Sequence, residues 1–356
     1  MTGFMRDIDP SLAIDISLLA MLVMLALAIA RTRQLLAAIL LMGVYSLVCA
    51  TWYLVMDAPD VAFTEAVVGA GISTIVLLGG ILLTRAEAEK PNLGRLIIPG
   101  LVALGAGGLL IYAALDLPVF GNPASPANAY LGRTYLEVAA NEIGTPNIVT
   151  AVLASYRGFD TLGETTVIFA AAVGVSLMLG FGERATGPRT PLAPGDHYVV
   201  LRVTAKLFIP LIILFALYVQ FHGDLGPGGG FQAGVILAVA VILHALVFGL
   251  RETQLAIPSG FVRGGAALGV LVYAGVGILC IVNGGKFLDY DHLFTPEVEA
   301  QIPVGLLGDP QHPHHWGQHF GIFFIELGVL LTVAAAMVSI YYAFAGRMVD
   351  PEEAKR

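Results

Sequence analysis

Charge is what this sequence has least of. Asp, Glu, Lys and Arg make up 12% of its 356 residues, about half the share found in soluble domains. Basic residues are the scarcer sign, 18 against 26 acidic, leaving a net charge of −8 and no basic face for nucleic acid. Cysteine is almost absent: Cys49 and Cys280 each lie alone in an apolar run, so neither a disulfide nor a metal site is expected. A short hydrophobic core followed by a small-residue cleavage site is also missing, and no removable signal peptide is expected. No nucleophile–base pair for hydrolysis is seen, so a membrane hydrolase ranks last among the readings.

What the chain does have is apolar length. Hydrophobic residues make up 57%, and the mean hydropathy is +0.82. A hydrocarbon core about 30 Å thick requires about 20 apolar residues in a helix rising about 1.5 Å per residue. Stretches that meet this lie near 11–30, 34–55, 61–84, 96–115, 162–181, 199–221, 230–250, 264–283 and 318–345. None shows the period-2 polar alternation of a barrel strand. The expected fold is therefore an all-α polytopic integral membrane protein of about nine transmembrane helices.

Loop charge sets the expected orientation. With the N-terminus outside and the C-terminus cytoplasmic, 14 Lys and Arg residues fall on the inner side and 4 (Arg6, Arg133, Arg157 and Lys286) on the outer side, as the positive-inside rule requires. A missed span would scramble that split. Two outer connections are long, 116–160 and 284–317. The first is expected to carry an amphipathic helix around Tyr135 to Tyr156, lying along the surface or packed on the bundle, and the second carries His312, His314 and His315, read as a solvated cluster. The polar stretch 185–197 reads as a boundary between two membrane units.

Ionisable groups inside spans are costly, at least ~2.5 kcal/mol on insertion scales, which makes them functional candidates. Glu65, Glu164 and Glu326 stand toward the outer ends of the third, fifth and ninth spans; Lys206 and His244 stand at similar depth on the inner side. Burial brings carboxylates and cationic groups toward titration near neutral pH, as a proton relay or cation site needs. Each has a plainer alternative: Lys206 snorkelling to the interface, Glu164 acting at a helix start, His244 hydrogen-bonded in the core. Asp60 and Asp160 lie at helix entrances, where N-capping competes with an ion-path role. The run HGDLGPGGGFQAGV lacks the Lys-Ser/Thr of a nucleotide loop. Gly228, Gly229 and Gly230 instead permit a tight reversal, and the helix that follows offers free N–H groups to an anion or carboxylate. No cofactor and no metal are expected; haem held by His222 and His319 is the weaker alternative.

With those residues in view, the chain resembles three consecutive pieces of the Mrp-type multisubunit Na+/H+ antiporter. DAPDVAFTEAVVGAGISTIVLLGGILLTR resembles the three-helix end of the large A-type subunit, equivalent to a hydrogenase D-type subunit. TPNIVTAVLASYRGFDTLGETTVIFAAAVGV is similar to the following two-helix hydrogenase E-type piece. HGDLGPGGGFQAGVILAVAVILHALVFG and GIFFIELGVLLTVAAAM resemble the four-helix B-type (MnhB-type) subunit. The resemblance implies domains at 1–90, 91–195 and 196–356, with three, two and four helices. Ala233 departs from a glycine expected after PGGGF, and no large antiporter-like module with membrane lysines is present. The implied role is a membrane subunit of a monovalent cation (Na+)/proton antiporter in a prokaryotic cytoplasmic membrane. Its implied partners are large A/D-type antiporter-like subunits, small C-, E-, F- and G-type subunits and membrane lipid. Glu65, Asp60 and Glu164 are expected to line an ion path that Glu326 extends, with Asp160 also carried on the A-derived pieces. A redox-driven, hydrogenase-like ion pump and a purely structural assembly subunit remain the alternatives.

Overall fold

The computed structural model describes residues 10–81, 93–119, 121–180, 199–299, 301 and 316–346. The 185–197 boundary, the His312–His315 cluster and seven of the fourteen Lys and Arg residues expected on the inner side lie outside them. Among the described residues, nine helices are long and apolar enough to cross a bilayer. They are α1 (Pro10–Arg31), α2 (Leu35–Val55), α3 (Pro59–Ile81), α4 (Leu93–Ala114), α5 (Gly158–Leu179), α6 (Val199–His222), α7 (Gly230–Phe248), α8 (Ser259–Val282) and α9 (Trp316–Ala345). α5 and α8 begin four and five residues before the expected apolar runs. Their first turns hold polar or small residues (Gly158, Asp160 and Thr161; Ser259 and Gly260), which hydropathy discounts but a helix start accommodates.

α9 is the centre of the bundle, packing on α8, α7 and α5. Glycine makes these crossings close. A Cβ on Gly328 would come within 2.7 Å of the Gly269 carbonyl oxygen, and one on Gly234 within 2.9 Å of the Leu330 carbonyl oxygen. Without a hydrophobic drive between helices in lipid, such backbone contact supplies the packing, and Thr332 adds a hydroxyl bond to the Ala266 carbonyl at 3.2 Å. At the other extreme, no residue of Leu96–Ala114 in α4 is buried within this chain.

α3 is not uniform. Its α-helical start, Pro59–Glu65, widens into a π-helical stretch, Ala66–Ile72, before Ser73–Ile81 resumes. Wide turns of this kind redirect side chains and recur at functional sites.

The connection between α4 and α5 corrects the single helix expected over 135–156. One helix, Arg133–Glu142, ends before Gly144, whose φ of 77° breaks the run, and Pro146 forbids its continuation. Asn147 then caps a new turn, Ile148–Thr150, which passes through the π-helical Ala151–Tyr156 to the start of α5. This second piece is packed into the bundle rather than laid on a surface: Ala151 and Ala154 are fully buried. Tyr290, from the connection between α8 and α9, donates its hydroxyl to the Ala154 carbonyl at 2.8 Å.

An acid-lined cavity between four spans

The first turns of α3, α5 and α7 and the third turn of α9 surround a partly open cavity of about 250 Å³, room for several waters at about 30 Å³ each. Three carboxylates line it, one from each separately read piece of the chain: Asp60 (α3), Glu164 (α5) and Glu326 (α9). Around them stand Thr64, Thr150, Thr161, Thr165 and Gln232, against the apolar Val61, Leu153, Ile168, Phe231 and Val329. Among the described residues no three His, Cys, Asp or Glu side chains converge closely enough to hold a metal ion. The acids are spread round the wall, an arrangement suited to passing or transiently binding a solvated cation or proton.

Local chemistry explains each placement. Gly229 adopts φ 110°, a conformation other residues adopt only under strain, and this turns the chain into α7. The first N–H of α7, on Gly230, then donates to the Glu326 carboxylate, where the helix dipole also favours negative charge. The free N–H groups expected at the glycine turn thus meet a carboxylate from the last span. Gln232, two residues further, donates to the Thr64 hydroxyl at 2.7 Å, and Thr64 donates in turn to the Asp60 carbonyl at 2.9 Å.

The remaining predicted residues stand apart. Glu65 is turned away from the cavity toward α2. A Cβ on Gly69 would lie 2.7 Å from Glu65 Oε1 and would collide with Ser46, so Glu65 and Ser46 both stand beside Gly69, apart from the cavity. Asp160 is exposed and paired with Arg157 at 2.5 Å. Lys206 is exposed on α6. His244 bonds the Thr253 hydroxyl through Nδ1 at 2.7 Å and lies against the Phe248 ring at a tilt.

Sequence reasoning misses two residues at this site. Asn147 is buried and reaches Asp60 Oδ1. Asp224, in the turn between α6 and α7, is half-buried; desolvation pushes its carboxyl up to about 6, and its charge reaches Glu326. Asn147 carries only the signal of an N-cap after Pro146, and Asp224 reads as part of a polar turn.

The comparisons with known proteins follow the same three pieces. Residues 20–86 match the family of MBH D-type subunits, 98–185 match that of MBH E-type subunits, and 200–339 match the "Domain related to MnhB subunit of Na+/H+ antiporter". The chain is 28% identical over 94% of its length to a probable K+/H+ antiporter A/B-type subunit of Rhizobium meliloti, of which it spans 35%. It is 33% identical to the "Putative antiporter subunit mnhB2" of Staphylococcus haemolyticus, across 42% of this chain and 96% of that one. In fold, 94% of the chain matches 34% of a chain in the Mrp complex from Dietzia sp. DQ12-45-1b, at TM-score 0.72 and 24% identity. A chain of an archaeal membrane-bound sulfane sulfur reductase matches 70% of this chain and 97% of its own length, at TM-score 0.52 and 31% identity. The fold and cavity define a multi-pass protein of the cytoplasmic membrane. It belongs to the Mnh/Mrp-type antiporter family, as a chain that joins A-type and B-type pieces.

Proposed function

We propose that this chain is a component of a multisubunit monovalent cation/proton antiporter and that the acid-lined cavity is part of its ion passage. The observation that carries this reading is the convergence of Asp60, Glu164 and Glu326 on one cavity, from three helices distant in sequence. Asp60 is buried, Glu326 half-buried and Glu164 exposed within this chain; carboxylates with hydroxyl and amide neighbours can exchange a proton for a cation, and a buried one in a membrane interior is too costly to be incidental. The family relationship supports antiport as the activity, and the chain acts in transport, not as an enzyme.

The chain spans about a third of the A/B-type relative it matches, so the full activity is assigned to an assembly. Its partners are large A/D-type antiporter-like subunits and small C-, E-, F- and G-type subunits. Units bounded at about 90 and 195, an outside N-terminus and a cytoplasmic C-terminus complete the reading; the odd-numbered spans then begin outside and the cavity lies in the outer half. Glu65 belongs to a second polar station on α3, facing α2. Asp160, Lys206 and His244 stand outside the passage.

The test is cation-induced recovery of a ΔpH-sensitive dye in inverted vesicles carrying the complete complex. Asp60→Asn, Glu164→Gln and Glu326→Gln should each impair exchange at normal assembly. Wild-type exchange in all three would overturn the reading.

A redox-driven complex is the second reading, favoured by the likeness to the sulfane sulfur reductase chain. Identifying the proteins that co-purify in mild detergent separates the two: iron–sulfur proteins would favour the redox complex, antiporter components alone the antiporter.

A further inference from the structure

Asn147 occupies an unusual junction. Its Oδ1 caps the turn that follows, accepting from Val149 N at 2.9 Å and Thr150 N at 3.3 Å. Its backbone N–H donates to the Asp224 carbonyl at 3.2 Å. Its Nδ2 group lies 2.8 Å from Gly226 O, 3.3 Å from Asp60 Oδ1 and 3.4 Å from Gly223 O. An amide has two protons for these three acceptors. Gly223 O is already served by the Thr150 hydroxyl at 2.7 Å, which leaves the Asn147 protons for Gly226 and Asp60.

Both ends of that bridge matter. Asp60 is a buried carboxylate on the cavity wall, where an unpartnered charge is costly. The 223–226 turn leads directly into the Gly228–Gly230 segment that holds Glu326, and it has no slack: a Cβ on Gly223 would stand 2.6 Å from Gly229 N. One side chain from the outer segment therefore links the acid of α3 to the turn that places the acid of α9.

Resting on the proposed ion passage, we infer that Asn147 is a positioning residue: its amide ties the Asp60 carboxylate to the Gly223–Gly226 turn and holds that carboxylate at the mouth of the cavity. Asn147 itself carries no ion or proton; it acts through Asp60.

Capping and bridging can be separated. Ser and Asp are good N-caps that keep an oxygen for Val149 and Thr150 but lack the amide donor. In vesicles carrying the complete complex, with NaCl or KCl as the probe, Asn147→Ser should raise the half-saturating cation concentration about three- to tenfold, the size expected for one such hydrogen bond. Maximal exchange and assembly should stay near wild type. Asn147→Asp should be worse, because it sets a second negative charge against Asp60. Adding Asn147→Ser to Asp60→Asn should cost nothing further, since the effect passes through Asp60.

Wild-type cation dependence in Asn147→Ser, with Asp60→Asn and Glu326→Gln impaired, would overturn the inference and leave the ion passage standing. Failure of both Asn147→Ser and Asn147→Asp to assemble would also overturn it, because two competent caps would then be failing for a structural reason. Wild-type exchange in Asp60→Asn and Glu326→Gln would remove the passage itself, and the inference with it.

Discussion

The carboxylate of Glu326, in the third turn of the last span, accepts the first backbone N–H of α7, at Gly230. A side chain from near the end of the sequence thus completes a helix start 96 residues earlier, and the same carboxylate forms one wall of the cavity. Stability and the proposed ion passage meet in this contact.

Gly229 should tolerate no side chain. Its φ of 110° is strained for an L-residue, and an added Cβ would stand 2.9 Å from Glu326 Oε2. Gly229→Ala should cost about 1–2 kcal/mol from backbone strain, with further loss from the crowded carboxylate. Thermal unfolding of the purified complex and exchange in vesicles should both fall, whereas Gly163→Ala, at a position with open space around the missing Cβ, should leave thermal stability unchanged.

Asp224 should make stability depend on pH in a definite direction. Burial raises its carboxyl from 3.8 to about 6, so the folded state holds a proton that the unfolded chain releases between those values. Its contribution is fully present below about 4 and is lost as pH rises through about 6, up to ~3 kcal/mol at ~1.4 per pKa unit. Asp224→Asn should therefore raise the melting temperature at pH 7.5, and the gain should shrink toward pH 4.5. An equal gain at both pH values would contradict the burial argument.

Tyr290 should be a stability residue of the connection between α8 and α9. It is fully buried and its hydroxyl donates to Ala154 O. Tyr290→Phe leaves that carbonyl without this donor and should cost about 1–3 kcal/mol, seen as a lower melting temperature of the complex. Exchange per assembled complex should change less than in Glu326→Gln.

Glu65 and Asp60 share α3 but face different neighbours, α2 and the cavity. The effects of Glu65→Gln and Asp60→Asn on the apparent cation affinity should combine nearly additively, whereas Asp60→Asn and Glu326→Gln, which share the cavity, should not. The double-mutant vesicle assay distinguishes these outcomes.

Much of this architecture is legible from composition. Nine apolar runs of bilayer length announce nine helices because a chain in hydrocarbon must satisfy its backbone internally. The apolar run 61–84, for example, lies within three residues of α3 at either end. The rarity of charge makes Glu326 and Glu164 conspicuous, and both line the cavity. The same reasoning does not say which way each residue faces. Depth alone groups Glu65 with Asp60, but the angular step from Thr64 to Glu65, ahead of the π-helical stretch, turns Glu65 toward α2 and leaves Asp60 on the cavity. Depth also matches His244 with Lys206, yet one is bonded to Thr253 in the short helix that follows α7 and the other is exposed.

The sequence by itself determined the solvent, the number of crossings and the short list of acids, because the cost of charge and of open backbone in lipid is local and additive along a chain. Only the tertiary structure decided which acids share a cavity, that Asn147 reaches Asp60 across 87 residues, and that the glycine turn receives Glu326. Those facts depend on helix rotation and close crossing, set by packing contacts between segments far apart in sequence.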